Sequence, residues 1–181
     1  MPDKNRAKQI IVEIVRLSGG KFDSTTRLFK AFYFAHLYYA RIAPGYLSDW
    51  PIVRMPRGPG IDDGRALLEE LAEEGLLEIR AIPTGPYTQM QYRTASRSNS
   101  LGPLPLNAID AIRDAVNFVN SRTAAELSDL THECSRSWRS AKDGDELNIY
   151  ADLSTDEDFA NRQEAFKRLD PILEEIWCKP V

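Results

Sequence analysis

Apolar residues recur with helical spacing along most of the chain, and this pattern predicts a series of amphipathic helices. Between residues 4 and 18 the apolar positions follow an i, i+3, i+4, i+7 stripe, which ends at Gly19-Gly20. Thr123 and Glu126 have the spacing of a capping box and predict the start of a later helix. The predicted helices are 4–18, 24–42, 62–74, one that begins at 107, 123–133 and 154–178, with a helical turn near 135–142.

The second of these helices is apolar on almost every side. From Ala31 to Ala40 only His36 is neither apolar nor aromatic. A helix with no polar face is usually buried at the centre of a domain. We therefore interpret it as the central helix, with Lys30 and His36 as polar groups embedded in it.

Strand signals are confined to one part of the chain. Apolar and polar residues alternate at 77–81 and again at 87–93, on either side of a Thr-Gly-Pro turn, which predicts an antiparallel β-hairpin. Segment 52–60 has two prolines and two glycines within five residues, and we expect an extended, ordered loop there. The elements together predict a mainly α, single compact domain spanning 1–181, with a central hydrophobic helix and a small antiparallel hairpin.

Composition and charge narrow the possible functions. The chain has 181 residues and a formal net charge of −4, which excludes a protein that is basic all over. Its two cysteines and two histidines are too scattered for a zinc site, and the carboxylate-rich run 143–164 lacks the ligand ladder of a calcium loop. We expect no metal and no cofactor. Without a signal-peptide core or an apolar run of about 18 residues, we expect a cytoplasmic protein with no membrane segment.

The stretch Ala66–Arg93 reads as a helix followed by a hairpin, and this order resembles the recognition helix and wing of a winged-helix DNA-binding domain. DNA binding depends on lysines and arginines that neutralise phosphates. From Ala66 to Glu74 there are four glutamates and no basic residue. The DNA-binding interpretation is therefore the alternative and not the first hypothesis.

A longer resemblance rests on four sequence blocks that follow one another between Leu28 and about Tyr150. The blocks are LFKAFYFAHLYY (28–39, with Lys30, Tyr33, Phe34 and Ala35), Pro56-Arg57-Gly58-Pro59 with the later Gly75-Leu76-Leu77, LSDLTHE (127–133), and Trp138 with Gly144 and 146–149. In this order and spacing they resemble the Panacea domain family, also known as the SocA-like or phage GepA-like family.

The resemblance implies an antitoxin, the half of a two-gene toxin–antitoxin system that neutralises its toxin by direct protein binding. It therefore implies a toxin partner, which we expect an adjacent gene to encode, and no enzymatic activity. The chain departs from the family pattern at Arg57, where an aromatic residue is common, and at Gly60, where an aliphatic one is common. Its partner preference is expected to differ accordingly.

Six residues are the predicted partner contacts, because they lie in or beside the Gly-Pro segment of the resemblance. They are Lys30, Arg54, Arg57, Gly58, Pro59 and Arg65. Arg57 lies on stiff backbone, which lowers the entropic cost of binding through its side chain. For Lys30 two interpretations stay open: a structural lysine that reaches the surface or pairs with a carboxylate, and a residue that lines a partner surface.

Four further polar or aromatic residues belong to the same blocks: Tyr33, His36, His132 and Trp138. We expect Tyr33 and His36 in or near the core. His132 is expected to bond free carbonyls at the end of its helix. An enzyme would require His36 or His132 to meet a carboxylate in a pocket, and no serine, cysteine or carboxylate is placed by sequence to complete such a site.

Overall fold

The computed structural model describes residues 2–153. Of these, 53% are helical and 18% are in strands, with a three-stranded and a two-stranded antiparallel sheet. The fold is therefore mixed α and β, and the prediction of a mainly α domain was wrong. The predicted helix 154–178 and Cys178 lie outside the described residues, as does part of the carboxylate-rich run.

Of the six α-helices in this part of the chain, five were predicted as helices and α6 as a helical turn, at nearly the places where they occur. They are α1 (Lys4–Leu17), α2 (Thr25–Ile42), α3 (Gly64–Glu73), α4 (Leu106–Asn120), α5 (Ala124–Cys134) and α6 (Arg136–Ser140), with 3₁₀ turns at Ser98–Leu101 and Ile149–Asp152. The capping box at α5 is present, because Thr123 and Glu126 each bond the other's main chain. Helix α3 is preceded by Asp63, which is in a left-handed conformation and makes no side-chain bond to the helix.

Helix α2 is the centre of the core, as its apolar sequence predicted. It packs against α1, α4 and α5 and against the β2–β3 sheet described below. Leu28, Ala31, Phe32 and Ala35 have no exposed surface. Burial of apolar side chains on several sides stabilises the position of this helix, and the groups it carries are consequently fixed relative to the rest of the domain.

The larger sheet contains the predicted hairpin and one strand that was not predicted. Its strands are β1 (Lys21–Asp23), β4 (Leu77–Thr84) and β5 (Tyr87–Thr94), in the order β1-β5-β4. The hairpin prediction is confirmed. Strand β1 has only three residues, too few for a period-two pattern, and pairs with Gln91–Arg93.

The smaller sheet replaces the predicted loop at 52–60. Strands β2 (Ile52–Met55) and β3 (Gly58–Ile61) form a second hairpin, closed by the two-residue turn Pro56-Arg57. Prolines and glycines suggested a loop, but Pro59 lies on the outer side of β3, where its missing N–H breaks no bond to β2.

No helix among residues 2–153 is both long and apolar enough to cross a membrane.

Candidate functional site

The outer edge of β3 is held by a lysine from the central helix. The Nζ of Lys30 donates a hydrogen bond to the carbonyl of Pro59 at 3.0 Å, and the residue is only 1% exposed. This carbonyl is an edge group of β3, and no strand among residues 2–153 lies beside it. Burial lowers the pKa of Lys30 to about 7, because the charged form loses its hydration.

Gly58 brings a third element into the same contact. A Cβ atom built on Gly58 would lie 2.3 Å from both Lys30 Nζ and Thr131 Oγ1. Those two atoms are therefore no farther apart than twice that distance. Thr131 belongs to α5 and donates its hydroxyl within its own helix, to the carbonyls of Leu127 and Ser128. Only a glycine, here with φ +99°, lets the hairpin approach α2 and α5 this closely.

The outer edge of β2 is covered by a later part of the chain. Arg54 N donates to Asp145 O at 2.9 Å and Gly144 N donates to Arg54 O at 3.0 Å. Leu147 N then donates to Ile52 O at 2.7 Å. Each edge of the hairpin therefore has a bonded partner, β3 at Pro59 through a side chain and β2 at Ile52 and Arg54 through main chain.

Trp138 packs beside this hairpin and holds its turn. Its indole Nε1 donates to the carbonyl of Met55 at 2.9 Å. The guanidinium of Arg54 lies 4.2 Å from the indole ring, and its Nε donates to the carbonyl of Trp138. Arg54 also forms an ion pair with Asp143. Its cationic group is thus engaged within the domain.

His132 does not make the carbonyl bond that its place at the helix end predicted. Its ring stacks on Trp138, with centroids 4.2 Å apart and planes inclined by 17°. The Nε2 atom is buried and has no hydrogen-bond partner among residues 2–153. Packing against the indole, and not bonding to the end of α5, fixes this side chain.

The six predicted partner contacts fall into two groups. Lys30, Gly58 and Pro59 are buried, so they support the hairpin from inside, and Arg54 is half-buried and paired. Arg57 lies in the turn and is exposed, and within residues 2–153 it makes no hydrogen bond or ion pair. Arg65 is exposed on α3, a different element. Arg57 is therefore the exposed charged residue of the hairpin.

A polar network beside this hairpin escaped the sequence analysis. The hydroxyl of Tyr33 donates to Asp152 Oδ2 at 2.6 Å, and burial with the nearby carboxylate raises the pKa of Tyr33. The hydroxyls of Ser135 and Ser137 donate to the same oxygen, at 2.9 and 2.6 Å. In the sequence, Asp152 is one of several acids in the run 143–164. No sequence pattern predicts its contact with Tyr33, which lies 119 residues earlier in the chain.

This network borders a small cavity of about 140 Å³ between α2 and α5. The apolar side chains of Phe34, Leu37 and Leu130 line most of it, and Cys134 is at its rim.

His36 is a satisfied core residue, as expected. Its Nδ1 lies 2.8 Å from Phe32 O and its Nε2 lies 3.0 Å from Ser48 Oγ. Burial lowers its pKa to about 4, so the ring stays neutral near pH 7. Neither His36 nor His132 contacts a carboxylate among the described residues, and these residues contain no group of His, Cys, Asp and Glu arranged to hold a metal ion.

No family model, no curated protein and no solved structure matches this chain.

Proposed function

We propose that this chain is a non-enzymatic, antitoxin-like protein of the cytoplasm that neutralises a partner toxin by direct binding. One observation carries the proposal: the four blocks of the Panacea resemblance meet around the β2–β3 hairpin. Lys30 comes from the first block, Gly58 from the second, Thr131 from the third and Trp138 from the fourth. The four blocks are too far apart in sequence for local structure to explain why they occur together. Their contact at one hairpin gives a structural reason for it.

The contact surface in this proposal is the turn Pro56-Arg57. Both edges of the hairpin are bonded and the turn has only two residues, so little backbone freedom remains to be lost on binding. Arginine is enriched among the residues that contribute most to interfaces, and its guanidinium bonds a carboxylate in two places at once. The proposed toxin surface therefore presents a carboxylate to Arg57.

Co-expression tests the proposal. The chain is produced together with the product of each adjacent gene, and complex formation and growth are measured. We expect one stoichiometric complex and rescue of growth. Arg57→Glu is expected to weaken that complex by about 30-fold or more. Arg113→Glu, a charge reversal at an exposed position of α4, is the matched control and is expected to bind as the unmodified chain does.

Absence of both complex and rescue with every neighbour would overturn the antitoxin proposal. Equal loss of binding in the Arg57 and Arg113 variants would instead reject the turn as the contact, because a general charge effect would then explain both.

A winged-helix DNA-binding protein is the second candidate, and one observation favours it. Helix α3 is followed by β4 and β5, and β1 adds a third strand beside β5, as in a winged helix. The linkage differs, since residues 43–63, which include the β2–β3 hairpin, separate α2 from α3, where a helix-turn-helix has a short turn.

Charge also disfavours DNA at this surface. Of the glutamates in and just after α3, Glu70 and Glu74 pair with lysines of α1, while Glu69 and Glu73 stay exposed. The candidate wing has no charged residue from 81 to 89. This surface therefore offers few lysine or arginine side chains to neutralise DNA phosphates.

A gel shift with the promoter region of the chain's own gene tests this candidate. DNA binding would give a shift that weakens with salt and is abolished by replacing Arg80 and Arg93 with alanine. A shift that survives both replacements would reject the wing as the DNA contact.

A further inference from the structure

The far end of the β4–β5 hairpin, residues 81–89, projects beyond the rest of the sheet; we call it the arm. Strand β1 accompanies β5 only from Gln91 to Arg93, and its last contact is the bond from Ser24 N to Met90 O at 2.8 Å. Beyond that point only β4 and β5 continue, for roughly 13 Å at the usual rise per residue. All nine arm residues are exposed.

One face of this hairpin changes character along its length. Near the base it carries Glu78, Arg80 and Arg93, with an ion pair between the first two. In the arm the same face carries Ile82 and Tyr87, which are diagonally adjacent, together with the uncharged polar residues Thr84 and Gln89. Ile82 is 37% exposed and Tyr87 is 77% exposed. The face thus changes from charged to uncharged along the hairpin, and depletion of charge with an exposed aromatic residue is typical of an interface centre.

The edges of the arm differ from one another. The carbonyl of Met90 points outward to Ser24, and main-chain direction repeats every second residue, so the N–H and C=O of Thr88 also point outward. Within residues 2–153 they have no partner. Opposite Thr88 is Pro83, whose nitrogen faces the outer edge of β4 and has no proton to donate. Strand addition along β4 is thereby blocked, and the β5 side stays available.

We infer that the arm inserts into an uncharged cleft of the partner toxin, with Tyr87 as its anchor and the main chain of Thr88 as its hydrogen-bonding group. The absence of charge over all nine residues determines the chemistry of the occupant, since an ionic cleft would lose hydration here without gaining a counter-charge. This inference rests on the proposed function, because it assigns the toxin a second contact in addition to that with Arg57.

The test uses the complex of the full chain with the neighbouring gene product. Tyr87→Ser and Ile82→Thr are each expected to weaken binding, the former by about 30-fold. Leu106→Ser is the matched control, since Leu106 is 79% exposed on α4, and it is expected to leave binding unchanged. Arm variants that bind as tightly as the unmodified chain would overturn the inference while the antitoxin proposal stands.

Two further outcomes also count against it. If the unmodified chain forms no complex, the antitoxin proposal and the arm's role in it both fail. Sedimentation velocity of the chain alone addresses the other occupant: a dimer that Tyr87→Ser dissociates would show that a second copy, and not the toxin, covers the arm.

Discussion

The two hairpins of this domain have the same local design and opposite surroundings. Each has a two-residue turn, and each has a glycine at or beside that turn with positive φ, Gly58 in one and Gly85 in the other. The β2–β3 hairpin is bonded along both edges, whereas the far end of the β4–β5 hairpin has no neighbour among the described residues. An anchored hairpin consequently exposes only its turn, while a projecting one exposes whole faces.

The largest expected difference concerns the two glycines. Gly58→Ala is expected to destabilise the domain by about 4 kcal/mol, because its Cβ would meet Lys30 and Thr131 at 2.3 Å in a left-handed backbone. Gly85→Ala has open space around it and is expected to cost about 1 kcal/mol from backbone strain alone. Urea unfolding of both variants measures the difference, and equal losses would contradict the contrast.

Hydrogen exchange compares the hairpins without mutation. The amide of Arg54 is bonded to Asp145, and we expect it to exchange at least about 100-fold more slowly than the amide of Thr88, which has no partner in the described part of the chain. Exchange followed by mass spectrometry or NMR gives both rates. Comparable protection of the two amides would mean that the arm is covered in the isolated protein.

The pH dependence of the free energy of unfolding reports on Lys30, the lysine beneath the β2–β3 hairpin. Lys30 has a pKa of about 7 when folded and an ordinary value of 10.5 when unfolded, so between these values the unfolded chain binds more protons. The free energy of unfolding should therefore rise with pH, by about 2 kcal/mol from pH 7 to pH 9.

Lys30→Met is the control for that measurement, since it removes the titrating amine and keeps the apolar stem. Urea unfolding of this variant should show much less change over the same pH range. An unchanged slope would assign the effect to another group.

The smallest expected effect is on the arm. Ile82→Thr and Tyr87→Ser should each change the free energy of unfolding by less than about 0.5 kcal/mol, because both side chains are exposed and the arm packs on nothing described. Thermal unfolding checks this. A larger loss would show that these side chains stabilise the fold. A binding defect of the same variants would then be explained by lower stability and not by a lost contact.

The helices could be predicted from sequence because their signals are local. The apolar stripe of α1, the apolar run of α2 and the Thr123–Glu126 box each lie within a few turns of one helix, and all three gave the right element. Strand β1 carried no such signal in its three residues. Segment 52–60 carried a misleading one, because Pro59 is disfavoured in a strand only where an N–H is required. These two segments account for the wrong fold class.

The contacts of the candidate site could not be predicted from the sequence, for a different reason. For Lys30 two interpretations were open, a lysine that reaches water or a carboxylate and one that lines a partner surface, and its amine bonds the carbonyl of Pro59, which only the hairpin places there. His132 was expected to bond free carbonyls at the end of its own helix, but its ring stacks on the indole of Trp138 instead. The partners of these side chains come from segments far away in the sequence, so the spacing of residues within one block does not predict them.

The bonds between β2 and residues 144–147 also determine the order in which the chain can fold as it is synthesised. The sheet β1-β5-β4 is complete once Thr94 has left the ribosome, since its strands all precede that residue. The outer edge of β2, in contrast, has its main-chain partners only after Asp145 and Leu147 have been synthesised. During synthesis the sheet that contains the arm can therefore be complete before the edge beside the Arg57 turn is covered.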